Sequence, residues 1–109
     1  MNTNSMKKYT NTPMWNSKLN KKMWNIYTNK KDYNSPLYIK DLSKFPKTYI
    51  ETAEYDCLHD EAINFKDKLV KEKIKVVLNE TKNTIHGYDI KNTKTTNESI
   101  NKRINFIKD

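Results

Sequence analysis

TYIETAEYDCLHDEAINFKDKLVKEKIKVVL, residues 48–78, changes its pattern twice. Residues 48–55 follow Pro46 and are rich in β-branched and aromatic side chains, the composition of a strand that ends near Tyr55 with Asp56 at its carboxyl end. From Asp60 and Glu61 the period becomes helical. Ala62, Phe65, Leu69 and Val70 fall on one face, with acids at the amino end and Lys68, Lys71 and Lys73 toward the other, as the helix dipole favours. Residues 74–78, I-K-V-V-L, form a second short strand. Strand, helix and strand in this order predict a parallel pair joined by a right-handed crossover.

After this unit come a loop over residues 79–96 and a final helix from about Asn97. Asn97 is its predicted cap, Glu98 lies in the first turn, and Ile100, Arg103, Ile104 and Ile107 share one side. Before the unit, residues 1–15 are polar, contain Pro13 and read as an irregular lead-in. Leu19, Met23, Trp24 and Tyr27 then recur along one stripe of an amphipathic helix over residues 16–27. Residues 28–46 hold Asn29, Asp32, Asn34, Ser35, Pro36 and Pro46 and read as a loop, with one helical turn from Asp41 to Lys44. The expected division is a basic helix-and-loop lead-in, 1–47, followed by a β-α-β-α unit, 48–109, part of a layered α/β sheet. Two parallel strands leave an edge open and a face uncovered, and no internal repeat supplies the missing neighbours. Self-association or an upstream segment is expected at that edge.

At 109 residues there is room for one modest core. Hydrophobic residues at 35%, charged residues at 31% and a mean hydropathy of −1.03 put the chain near the hydrophilic limit of independent folding. No apolar run is long enough to span a membrane, and the polar start does not resemble a secretory signal. Cys57 is the one cysteine, so neither an internal disulfide nor a zinc site of spaced cysteines is available, and a cytoplasmic location is expected. The net charge of +8 resides in residues 1–47, where lysines in pairs such as Lys21-Lys22 alternate with Asn, Thr and Tyr. Base reading and bidentate phosphate binding favour arginine, yet Arg103 is the only one. A compositional bias toward Lys and Asn is the simpler cause. A small basic nucleic-acid-binding protein using residues 7–47 is therefore an alternative only. Trp15, Trp24, Tyr27 and Tyr33 would stack bases in that case, whereas their helical spacing favours packing.

Asp56 ends one strand and His86 lies in the loop beyond the next, so adjacent parallel strands would deliver both to one end of the sheet, where α/β ligand sites gather. An acid that orients an imidazole is two-thirds of a catalytic triad. Spacing alone leaves the plainer readings open: an Asp after a strand often caps the next helix, and a lone His is often only packed. His59 and Asp60 beside this pair raise a metal site, against which capping and surface roles are the simpler expectation. Cys57 raises a thiol nucleophile, against a buried and inert side chain.

The wording of the motifs goes further. Y-I-E-T-A-E-Y-D-C-L-H-D-E (residues 49–61), K-L-V-K-E-K-I-K-V-V-L-N-E-T (68–81) and I-H-G-Y (85–88) resemble the carboxyl-terminal part of the hormone-sensitive-lipase-like α/β-hydrolases. That family's acid opens D-P-L-x-D-E, here D-C-L-H-D-E, and its histidine opens H-G-F, here H-G-Y. Ser35-Pro36-Leu37 matches an S-P-L segment ahead of the acid strand, and the likeness runs from about Trp15 to Tyr88. The resemblance implies carboxylic ester hydrolysis with Asp56 as triad acid, His86 as base, and no metal or organic cofactor. Cys57 replaces a proline, and Lys73 a glycine, of the family pattern. The family's nucleophile sits in G-x-S-x-G and its oxyanion hole in a glycine-rich loop, but Gly87 is the one glycine here and no serine is flanked by glycines. The family order of Ser, acid and His puts the nucleophile ahead of Met1. The expectation is a C-terminal portion of an esterase or lipase, inactive alone and acting on small esters when joined to its nucleophile half. A non-catalytic remnant or interaction module of the same descent is the other reading.

Overall fold

The computed structural model describes residues 2–28 and 35–109. Along the chain it contains α1 (Asn4–Lys8), α2 (Ser17–Thr28), a single 3-10 turn at Pro36–Tyr38, β1 (Thr48–Ala53), α3 (His59–Lys71), β2 (Val76–Thr81), a second 3-10 turn at Tyr88–Ile90, and α4 (Lys94–Lys108). β1 and β2 pair in parallel, Thr48 opposite Val76 and Ala53 opposite Thr81, with α3 as the crossover. This is the β-α-β-α arrangement expected of an α/β-hydrolase sheet. Asn29, Asp32, Tyr33 and Asn34 lie outside the described residues.

Both strands are displaced from their predicted limits. β1 stops at Ala53 rather than near Tyr55, because Glu54 and Tyr55 enter a turn whose amides donate to the carbonyls of Thr81 and Thr84. β2 begins at Val76, not Ile74. Ile74 instead completes the turn that closes α3, its amide donating to Leu69 O at 3.0 Å while Lys73 N reaches Val70 O at 2.9 Å. This pair of bonds closes the helix with a left-handed residue, and Lys73 takes that conformation at φ 60°. The turn that the family makes with glycine is thus fully formed around a lysine. At its other end β2 runs on to Thr81, because Asn79 and Thr81 are buried with their side chains hydrogen bonded. Polar residues inside a strand hide it from a hydropathy pattern.

α4 also differs. It starts at Lys94, capped by Thr93, whose hydroxyl accepts from Thr96 N at 3.2 Å, so Asn97 lies within the helix and is not its cap. Thr96 and Ser99 are buried and Arg103 and Phe106 half-buried on the inward side, while Ile100, Ile104 and Ile107 are exposed. The inward face answers polar partners on the sheet, so the isoleucine stripe points elsewhere. In α3 Leu69 is fully buried and Val70 is exposed. In α2 only Met23 and Trp24 of the predicted stripe are half-buried, Leu19 and Tyr27 being exposed. Residues 41–44 make a turn, with Ser43 N on Asp41 Oδ1 at 2.9 Å and Phe45 N on Leu42 O at 2.8 Å, and not a turn of α-helix. Among the described residues no helix is long and apolar enough to cross a membrane.

The lead-in is not irregular throughout. Thr3 caps α1, and Ser5 within it is buried against the start of α3. The Ser5 hydroxyl donates to Cys57 O at 2.9 Å and accepts from Asp60 N at 3.1 Å, and Ser5 N donates to Asp60 Oδ2 at 2.8 Å. The helix that follows the acid is therefore capped by a serine 55 residues earlier in the chain.

Candidate active site

Asp56 lies three residues beyond β1, and its burial at 5% exposure is made tolerable by hydrogen bonds to both carboxylate oxygens. Oδ1 accepts from Leu58 N at 2.9 Å, which shapes the turn into α3, and Oδ2 lies 2.7 Å from His86 Nδ1. Oδ1 thus shapes the turn ahead of α3 without capping it, since Leu58 is itself the N-cap residue and the helix amide of Asp60 is met by Ser5, while Oδ2 makes the contact that an orienting acid requires. As a carboxylate Asp56 only accepts, so Nδ1 carries the proton and Nε2 is left with its lone pair. His86 is 43% exposed on its side chain, and among the described residues no hydrogen-bond partner reaches Nε2.

His86 stands on the loop after β2, next to Gly87 at φ 75°. A Cβ there would meet Met14 Cε at 3.5 Å and Ile90 Cδ1 at 3.6 Å, ordinary contacts, so the backbone conformation and not space is what calls for glycine. Trp15 packs beside the imidazole, ring centroids 6.0 Å apart and tilted by 33°. A cleft of about 770 Å³ opens here, with Asp56 and His86 in its wall and Trp15, Trp24, Leu37 and Phe65 supplying apolar surface. Trp15 and Trp24 thus face a cleft beside the histidine.

The other candidates separate from this pair. Cys57 is fully buried, and burial, followed by the charge of Asp56, pushes its thiol up to about 11. A thiol so placed is a poor nucleophile at neutral pH. His59 is half-buried rather than on the surface, its ring bridging Asp60 Oδ1 at 3.0 Å and Glu80 Oε1 at 3.3 Å. It does not join His86. Among the described residues no group of three His, Cys, Asp or Glu side chains is arranged to hold a metal ion.

A second cluster escaped the sequence reading. Glu51, in the middle of β1, accepts from Tyr49 at 2.9 Å, Tyr88 at 2.6 Å, Asn79 at 3.3 Å and Arg103 Nε at 3.1 Å. Arg103 Nη2 also binds Glu51, and it reaches Asp89 at 3.0 Å. Burial alone would raise the Glu51 carboxyl, but the hydrogen bonds from Arg103, Tyr88, Tyr49 and Asn79 outweigh it and hold the group at about 2. Burial and the Glu51 carboxylate push the Tyr49 phenol up to about 12. The available signal was a charge in mid-strand, which needs a partner when buried, in a chain with one arginine.

Solved structures share this fold. The chain superposes on a bacterial heroin esterase with a TM-score of 0.89 at 25% identity, over 96% of this chain and 37% of that one. On esterase LipW from Mycobacterium marinum the TM-score is 0.87 at 21% identity, over 91% and 33% of the two chains, and on carboxyl esterase 2 from the mycorrhizal fungus Tuber melanosporum it is 0.78 at 22%, over 92% and 37%. The chain therefore spans about a third of the length of these structures. Comparison with curated protein sequences finds no match. A family model described as alpha/beta hydrolase fold matches residues 1–90, covering both the D-C-L-H-D-E and H-G-Y motifs. This chain belongs to the alpha/beta hydrolase fold family, and its resemblance to the hormone-sensitive-lipase-like esterases is borne out.

Proposed function

We propose that the chain supplies the acid and the histidine of a carboxylic ester hydrolase, with the nucleophile contributed from outside these 109 residues. The observation that carries this reading is the 2.7 Å contact between His86 Nδ1 and Asp56 Oδ2, in an esterase-like fold and with both residues in the wall of a largely apolar cleft. In the proposed reaction a serine hydroxyl gives its proton to His86 Nε2 as its oxygen attacks the ester carbonyl. Asp56 holds the ring in the Nδ1–H tautomer and stabilises the imidazolium. His86 then protonates the departing alkoxide and activates water to release the acid. The missing serine and oxyanion donors are assigned to a G-x-S-x-G-bearing segment that adds to the open edge of β1, either from an upstream polypeptide or from a partner chain. The free thiol of Cys57 suits a reducing compartment, and the proposed setting is the cytoplasm.

The test is turnover of p-nitrophenyl acetate by the purified chain, alone and mixed with the G-x-S-x-G-bearing remainder of a related esterase. The chain alone is expected to stay at background, since loss of even one oxyanion donor can cost about 10²–10³ in rate. Activity should arise on mixing and vanish with His86→Ala. Activity of the lone chain that disappears in His86→Ala or Cys57→Ala would overturn the reading, and silence in every mixture would favour a non-catalytic role.

A further inference from the structure

We infer that Glu51 is a positioning residue for His86, acting with Arg103 through the loop that follows β2; the inference rests on the acid–base reading of Asp56 and His86.

Gly87 separates His86 from Tyr88 and has no side chain with which to anchor the loop, so the direction of the imidazole depends on what fastens the residues after it. Tyr88 and Asp89 are both fastened. The Tyr88 hydroxyl donates to Glu51 Oε1 at 2.6 Å, and Asp89 Oδ2 lies 3.0 Å from Arg103 Nη2. Arg103, from α4, meets both oxygens of Glu51, through Nε at 3.1 Å and through Nη2. Two consecutive loop residues are thus tied to one ion pair, and that pair is rooted in β1, the strand that also leads into Asp56. A single strand governs both ends of the Asp56–His86 contact, by its backbone on the acid side and by Glu51 on the histidine side.

Apolar side chains could fill the same space without the cost of desolvating two charges. What they would not supply is direction: a guanidinium fork and a carboxylate fix the angle as well as the distance of their partners. The low pKa of Glu51 keeps it ionised across the neutral range, so the clamp persists where an esterase histidine must work.

The experiment uses the full chain labelled with ¹⁵N, reading the histidine side-chain nitrogens by NMR, with His86 assigned against a His59→Gln variant. Wild type is expected to show His86 as the Nδ1–H tautomer. Glu51→Gln and Tyr88→Phe should each shift it toward Nε2–H and speed amide exchange over residues 86–90 by roughly five- to tenfold, the scale of one lost hydrogen bond. Tyr88→Phe removes one hydroxyl and keeps the packing, so it answers the question even if Glu51→Gln fails to fold. Lys102→Ala, which breaks only an outer contact with Asn79 Oδ1 at 2.8 Å, should leave His86 unchanged. Variants that melt earlier yet retain the wild-type tautomer would reduce Glu51 to a structural role and overturn the inference. That result would leave the proposed function standing, whereas failure of the mixing experiment with an intact tautomer response would do the reverse.

Discussion

One oxygen of Asp56 meets His86 Nδ1 at 2.7 Å while the other receives the amide of Leu58, so a single side chain joins the end of β1 to the loop beyond β2 and shapes the turn that leads into α3. Asp56→Asn keeps much of the turn but presents an amide that can offer its own N–H to the ring. In the mixed, active assembly this substitution is expected to cut turnover by about 10³–10⁴ through the wrong tautomer, with substrate affinity little altered. Steady-state kinetics on p-nitrophenyl acetate separates the two effects.

Lys73 holds φ at 60°, a conformation that costs an L-residue with a Cβ and costs glycine little. Lys73→Gly should raise stability by about 0.5–1 kcal/mol, the relief exceeding the extra entropy that glycine loses. Urea denaturation should show a higher midpoint with an unchanged slope.

Ser5 is buried between Cys57 O and Asp60 N. Ser5→Ala removes both bonds and leaves polar groups at the start of α3 unanswered, which should destabilise the chain by about 1–2 kcal/mol. Thermal melting followed by circular dichroism provides the check.

Glu51 has a folded pKa of about 2, below its ordinary 4.5. Its contribution to stability is complete above the ordinary value and is lost as pH falls toward about 2, where the folded state takes up the proton. Glu51→Gln should therefore be less stable at neutral pH and flatter in its response between about pH 4.5 and 2. Asp60, also lowered, by hydrogen bonds from His59 and Ser5, leaves a residual slope in both proteins. Urea titrations at several pH values would measure this, and parallel curves would contradict it.

Cys57, buried and pushed up to about 11, should resist iodoacetamide at pH 8 in the native chain and react promptly in urea. Mass spectrometry of the two samples makes the comparison.

The β-α-β-α order and the meeting of Asp56 with His86 were legible because β-branched residues, the acid-to-lysine gradient of α3 and two motifs all point the same way. What sequence pattern concealed shares one cause. Asn79, Thr81, Ser99 and Glu51 turn inward although polar, because each finds a partner on another element, and such pairings leave no hydrophobic period. The same exchange hid the start of α4, where Thr93 rather than Asn97 is the cap, and gave prominence to isoleucines that face outward. Ser5 was invisible for a different reason, since its partners lie 52 and 55 residues away.

That distance bears on how the chain assembles during synthesis. α1 has five residues, and isolated helices shorter than about 12–15 residues are marginal in water. Because α1 precedes its partners in the chain, it is synthesised before Cys57 and Asp60 exist to receive it. It must wait uncoiled while β1 and the first turn of α3 are made. The turn that carries Asp56 is then sealed by a segment made earlier, which ties the last refinement of the acid's geometry to residues translated well ahead of it.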